Sequence, residues 1–166
     1  MNFNSLAEYF YKLYNICLLL MLLPLAVFLT LYYMLDAGKL ISVISPDHAL
    51  SGLLVLLFPL FIVLELTIVH LVLQKKLVPT QSELSLGTRL DQYYSFVLIK
   101  SGGAAFVGIL MAVGLYLTGR GLFSAYFLLV LVWIFIQWPT PRKVSKDLKL
   151  KGDEQEMVLT KGEAFK

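Results

Sequence analysis

Residues 16–35 form a run of 20 amino acids without a charge. An α-helix rises 1.5 Å per residue, so about 20 apolar residues cross the roughly 30 Å hydrocarbon core of a bilayer. Three more apolar stretches follow. Residues 49–73 are apolar apart from Glu65 and His70, residues 93–118 apart from Lys100, and residues 122–138 carry no charge. The last is short for a span, but Trp133 and Trp138 suit an interfacial end. Composition points the same way. Hydrophobic residues make up 58% of the chain and charged residues 15%, where soluble domains carry about 25% charged, and the mean hydropathy is +0.78. The expected fold is an all-α integral membrane protein with four transmembrane helices in an up-down-up-down bundle.

Local signals set the expected boundaries. The four helices are expected at about 6–36, 46–74, 89–118 and 121–138, forming a transmembrane domain over 1–138, with a tail over 139–166. Ser5 and Glu8 have capping-box spacing at the start of the first helix, and Gly38 suits a left-handed cap at its end. Ser45-Pro46-Asp47 reads as an N-cap, a proline at the first helical position and an acid in the first turn. Thr80 with Glu83 marks a short helix in the middle loop, and Thr88 with Asp91 opens the third span. Gly119-Arg120-Gly121 makes a tight hairpin, and Pro139 and Pro141 stop the fourth helix. The first apolar run is longer than the 7–15 residues of a signal-peptide core and lacks a small-x-small cleavage site, so it reads as a retained helix.

Orientation follows from the lysines and arginines. With four spans, one side carries Lys12, Lys75, Lys76, Arg89, Arg142, Lys143, Lys146, Lys149 and Lys151 near the membrane, and the other carries Lys39 and Arg120, nine against two. The positive-inside rule then puts both termini in the cytoplasm, as in a bacterial inner membrane. The net charge of +3 is accounted for by this topology and does not point to nucleic acid. The tail runs basic and then acidic. Arg142, Lys143 and Lys146 are expected against anionic headgroups, with docking of a partner as the sharper reading. Cys17 is the only cysteine, which excludes an internal disulfide.

Glu65 is the most informative side chain, because a carboxylate within a spanning helix is costly and marks a functional candidate. It lies about 12 Å inside the cytoplasmic end of its helix, and Lys100 lies about 10 Å deep on the next, by the helical rise. The matched depths predict an intramembrane Glu65–Lys100 pair, either locking two helices together or tuning Glu65 as a proton or cation site. Ala104, Gly108 and Ala112 share a helix face in the small-xxx-small pattern of close helix packing. Pro24 and Pro59 fall mid-helix, where each frees a carbonyl and predicts a kink. Tyr9, Tyr11, Tyr14, Tyr93, Tyr94 and Trp138 read as the inner aromatic belt and Tyr32, Tyr33 and Tyr116 as the outer one. His70 reads as an interfacial histidine.

No His-Glu-x-x-His, Gly-x-Ser-x-Gly or phosphate-loop motif is present, and no residue cluster has metal-ligand spacing. The expectation is a non-enzymatic protein without a cofactor: an accessory or scaffolding subunit of a larger inner-membrane assembly. Its partners would be the lipid bilayer and another membrane protein or a second copy of itself. The alternative is a small oligomeric transporter or channel using Glu65.

Overall fold

A computed structural model describes residues 5–77 and 85–161. The described residues are all-helical, in six helices: α1 Leu6–Asp36, α2 Ala49–Leu77, α3 Leu86–Thr118, α4 Leu122–Ile136, α5 Pro141–Asp147 and α6 Gly152–Leu159. The pair Thr80 and Glu83, and the side chains of His70, Lys75 and Lys76, lie outside the described residues. Helices α1 and α3 are each long and apolar enough to cross a membrane. Helices α4 and α5 meet the same test only when joined across the break between them, and Ala49–Glu65 of α2 is a shorter apolar helix. Large side chains such as Leu56, Leu60, Phe61, Leu129, Phe135 and Ile136 stand mostly exposed along α2 and α4. Apolar exposure on that scale is compatible with a protein whose solvent is lipid.

The caps explain where the helices begin and end. Ser5 Oγ accepts the Glu8 amide at 3.1 Å, and Glu8 pairs with Lys12 one turn on at 2.6 Å. At the other end of α1, Gly38 takes φ +66°. The Lys39 amide reaches back to the Met34 carbonyl and the Gly38 amide to that of Leu35, a complete Schellman cap that favours glycine at this position. Two expected caps are displaced. Ser45 to His48 forms a turn, with the His48 amide on the Ser45 carbonyl, so α2 opens at Ala49. His48 Nδ1 then accepts the Leu50 amide. Helix α3 begins at Leu86, earlier than Thr88 predicts, because Ser85 Oγ accepts the Thr88 amide at 3.4 Å. Pro24 and Pro59 both sit inside unbroken helical segments.

The chain divides into two compact units. One comprises residues 19–69 and 101–137. Its core joins Phe28, Val55, Met111, Ala112, Leu115, Phe123 and Phe127, with a second cluster of Ala104, Val107, Val130 and Ile134. Phe28 and Phe127 stack at 4.2 Å, and Phe58 meets Phe123 edge-on at 5.3 Å. Backbone approach is close at two glycines. A methyl group at Gly108 would lie 2.9 Å from Pro24 Cβ, and one at Gly114 would overlap the Phe123 ring. Loops close this unit at one end. The Ile44 amide donates to the Leu117 carbonyl at 2.8 Å, and Arg120 donates through Nε and Nη2 to the Pro46 carbonyl.

The other unit comprises residues 1–18, 70–100 and 138–166, as far as these are described. Here the tail is folded. Thr140 caps α5, its Oγ1 accepting the Lys143 amide at 3.3 Å with Pro141 at the first helical position. Val144, Leu148, Leu150 and Val158 are buried, as are Tyr9, Phe10, Leu13 and Cys17 of α1 and Leu90, Tyr93, Tyr94, Phe96 and Val97 of α3. Of the residues expected in the inner aromatic belt, Tyr9, Tyr93 and Tyr94 are buried, whereas Tyr11 is exposed. Tyr9 and Tyr93 are each only 1% exposed, because their hydroxyls find acceptors inside the unit, the Leu90 carbonyl at 3.1 Å and Asp147 Oδ2 at 3.0 Å. A buried tyrosine needs such a partner. Tyr14 stacks on Trp138 at 6.3 Å.

Candidate functional site

Two regions gather chemistry-bearing residues, one in each unit. In the first, an apolar cleft of about 340 Å³ opens between α2 and α3, lined by Phe58, Phe61, Ile62 and Glu65 on one helix and Phe106, Val107, Leu110 and Met111 on the other. Both quartets follow helical spacing, so each lies on one helix face. The floor is closed by Val107 and Met111, which are buried, while Phe61 and Phe106 are 64% and 57% exposed at the rim. Among the described residues lining the cleft, Glu65 alone is ionisable. Its Oε2 is buried and has no hydrogen-bond partner among the described residues. A buried, unsatisfied polar atom costs about 1–3 kcal/mol, and a carboxylate in apolar surroundings is the more expensive case.

Lys100 belongs to the other unit, where its Nζ stands 5.6 Å from the centroid of the Phe96 ring. Its expected pairing with Glu65 therefore remains a proposal. Ala104 and Ala112 are both buried in the unit that holds the cleft, and Gly108 meets Pro24 and Phe127 there. Gly114 was missed by the spacing rule, although it makes the closer approach.

The second region is the folded tail. Arg89 of α3 donates through Nη2 to Glu154 of α6 at 2.5 Å, and Tyr93 donates to Asp147 of α5. From the sequence Arg89 served only as a topology marker, and nothing in the spacing connects it with a residue 65 positions away. Of the three basic tail residues expected at a membrane surface, Arg142 and Lys146 are exposed on α5 and Lys143 is half-buried. Burial pulls the Lys143 ammonium below the ordinary lysine range, with Asp147 opposing the shift.

Among the described residues no group of three or more His, Cys, Asp or Glu side chains converges as metal ligands would. No family model, curated protein or solved structure matches the chain.

Proposed function

We propose that this chain is a four-span protein of a bacterial inner membrane, both termini cytoplasmic, that works as a non-enzymatic accessory subunit. Its role is to hold a transmembrane helix of a partner protein in the cleft between α2 and α3. One observation carries the reading: a carboxylate oxygen buried without a partner among the described residues, in an otherwise apolar, open-rimmed cleft. A partner helix bearing a lysine, arginine or hydroxyl side chain would supply the missing donor, while its apolar face would cover Phe61 and Phe106. The nine-to-two basic asymmetry supports the orientation. Exposed apolar side chains along α2 and α4 support spans beyond the two that qualify by length alone.

Transport is less well supported, because a polar pathway needs successive groups and Glu65 is the one ionisable residue among the described residues lining the cleft. The test compares wild type with Glu65→Leu, purified from native membranes in mild detergent. The expected result is a stoichiometric membrane-protein partner whose retention falls roughly three- to tenfold in the variant, the scale of one intramembrane polar contact. Glu65-dependent proton or cation flux in liposomes, with no retained partner, would overturn the subunit reading in favour of a transporter.

A further inference from the structure

An open groove of about 530 Å³ between α5 and α6 is lined by Arg142, Ser145, Lys146, Lys149, Leu150, Lys151, Gln155 and Leu159. Four of these eight side chains are cationic and none is acidic. The sequence runs basic and then acidic here, and an unstructured tail could neutralise itself. The fold sorts the charges instead. Asp147 meets Tyr93 and Glu154 meets Arg89, both on α3, and among the described residues the lining of the cleft between the tail helices is cationic without an acid.

Lys149 lies in the turn between the two tail helices. It sits at φ +50°, at the first position beyond the cap of α5, where the Lys149 amide bonds to the Lys146 carbonyl and the Leu150 amide to that of Ser145. This is the left-handed position of a Schellman cap, which glycine fills without strain and a lysine does not. Clustered cations repel one another, and an anion between them removes that penalty.

We propose that this cleft binds a phosphate-bearing anion of headgroup size, with Arg142, Lys146, Lys149 and Lys151 around the phosphate. The volume exceeds that of phosphate alone, and Leu150 and Leu159 line the cleft beside the cations, which suits an anion carrying an apolar portion. Lys143, which does not line the cleft, takes no part. This assignment does not depend on the Glu65 reading.

Lys149→Gly is the decisive variant, because it removes the charge while giving the turn the residue it favours. Lys161→Gly is its control. Lys161 also adopts a left-handed conformation, φ +54°, one residue beyond the cap of α6, but does not line the cleft. Full-length protein in neutral detergent is titrated with phosphatidylglycerol, with phosphatidylcholine and with glycerol 1-phosphate, and bound ligand is counted by native mass spectrometry. Lys149→Gly is expected to weaken phosphatidylglycerol binding about fivefold, roughly the share of one basic residue, with thermal stability unchanged or raised. Lys161→Gly is expected to bind as wild type does. Tight binding of phosphatidylglycerol but not glycerol 1-phosphate assigns the site to a lipid headgroup, and equal binding of both assigns it to a soluble phosphate ester. Equal losses in the two variants, no loss in either, or phosphatidylcholine binding equal to phosphatidylglycerol would overturn the proposal.

Discussion

The two units of this molecule are held together by different physics, although α1, α2 and α3 contribute to both. In the unit formed by 19–69 and 101–137, cohesion is geometric: Gly108 against Pro24, Gly114 beneath Phe123, Phe28 stacked on Phe127. Helices immersed in lipid gain little from hydrophobic burial against one another, so close packing at small residues takes over. In the other unit, cohesion is a tyrosine-rich core pinned by directed polar contacts: Tyr9 to the Leu90 carbonyl, Tyr93 to Asp147, Arg89 to Glu154. The contrast teaches that glycine-to-large changes should damage the first unit and polar deletions the second.

The largest effect is expected at Gly114. Gly114→Leu drives a side chain into the space of the Phe123 ring, which is fully buried, and overpacking of this kind costs about 1–3 kcal/mol or more. Thermal unfolding in detergent should show a clear loss. Gly108→Leu should follow, also with marked destabilisation. Unchanged unfolding temperatures for both would mean that this unit is not held by close packing.

Next comes Arg89→Met. It strands Glu154, whose side chain is 41% exposed and so partly rescued by water. A loss of about 1 kcal/mol is expected, confined to the tail. Hydrogen exchange at amides of α6 should quicken while amides of α4 hold steady. Equal quickening in both helices would contradict the independence of the two regions. Tyr93→Phe should have the smallest effect, about 0.5–1 kcal/mol for one hydrogen bond, with quickened exchange in α5. The Asp147 carboxylate it releases is only half-buried.

Much of this architecture is legible in the amino acids, and the gaps have physical causes. Apolar runs long enough to span lipid announce α1 and α3, the first uncharged and the second interrupted only by Lys100. Gly38 ends α1 because a left-handed cap leaves little choice of residue. The tail helices escape notice because Pro141–Asp147 and Gly152–Leu159 are too short to show periodicity or to be stable alone. They form because Val144, Leu148 and Val158 find a core to enter. Tyr9 and Tyr93 mislead for a related reason: a tyrosine near the end of an apolar run looks like an interfacial anchor until the acceptor for its hydroxyl is known. Gly114 is a single glycine outside the Ala104, Gly108 and Ala112 row, and only the position of Phe123 gives it meaning. Glu65 stands out in the sequence as a costly charge, whereas the apolar cleft around it depends on how α2 and α3 meet.

Whether Glu65 is satisfied within its own chain decides how the cleft is used. If Lys100 is its partner, Lys100→Met alone should destabilise the protein and added Glu65→Gln should restore part of the loss, since a single deletion strands a charge. Strictly additive effects would leave the donor to come from elsewhere.

The most direct test of the docking claim places a photo-cross-linking amino acid at Phe61, and separately at Phe106, in cells carrying native Glu65 or Glu65→Leu. With native Glu65, both rim positions are expected to give one discrete adduct to the same apolar segment of another membrane protein. That segment should carry a lysine, arginine or hydroxyl side chain, and both adducts should fade in Glu65→Leu. Adducts to lipid alone, or protein adducts indifferent to Glu65, would contradict the account.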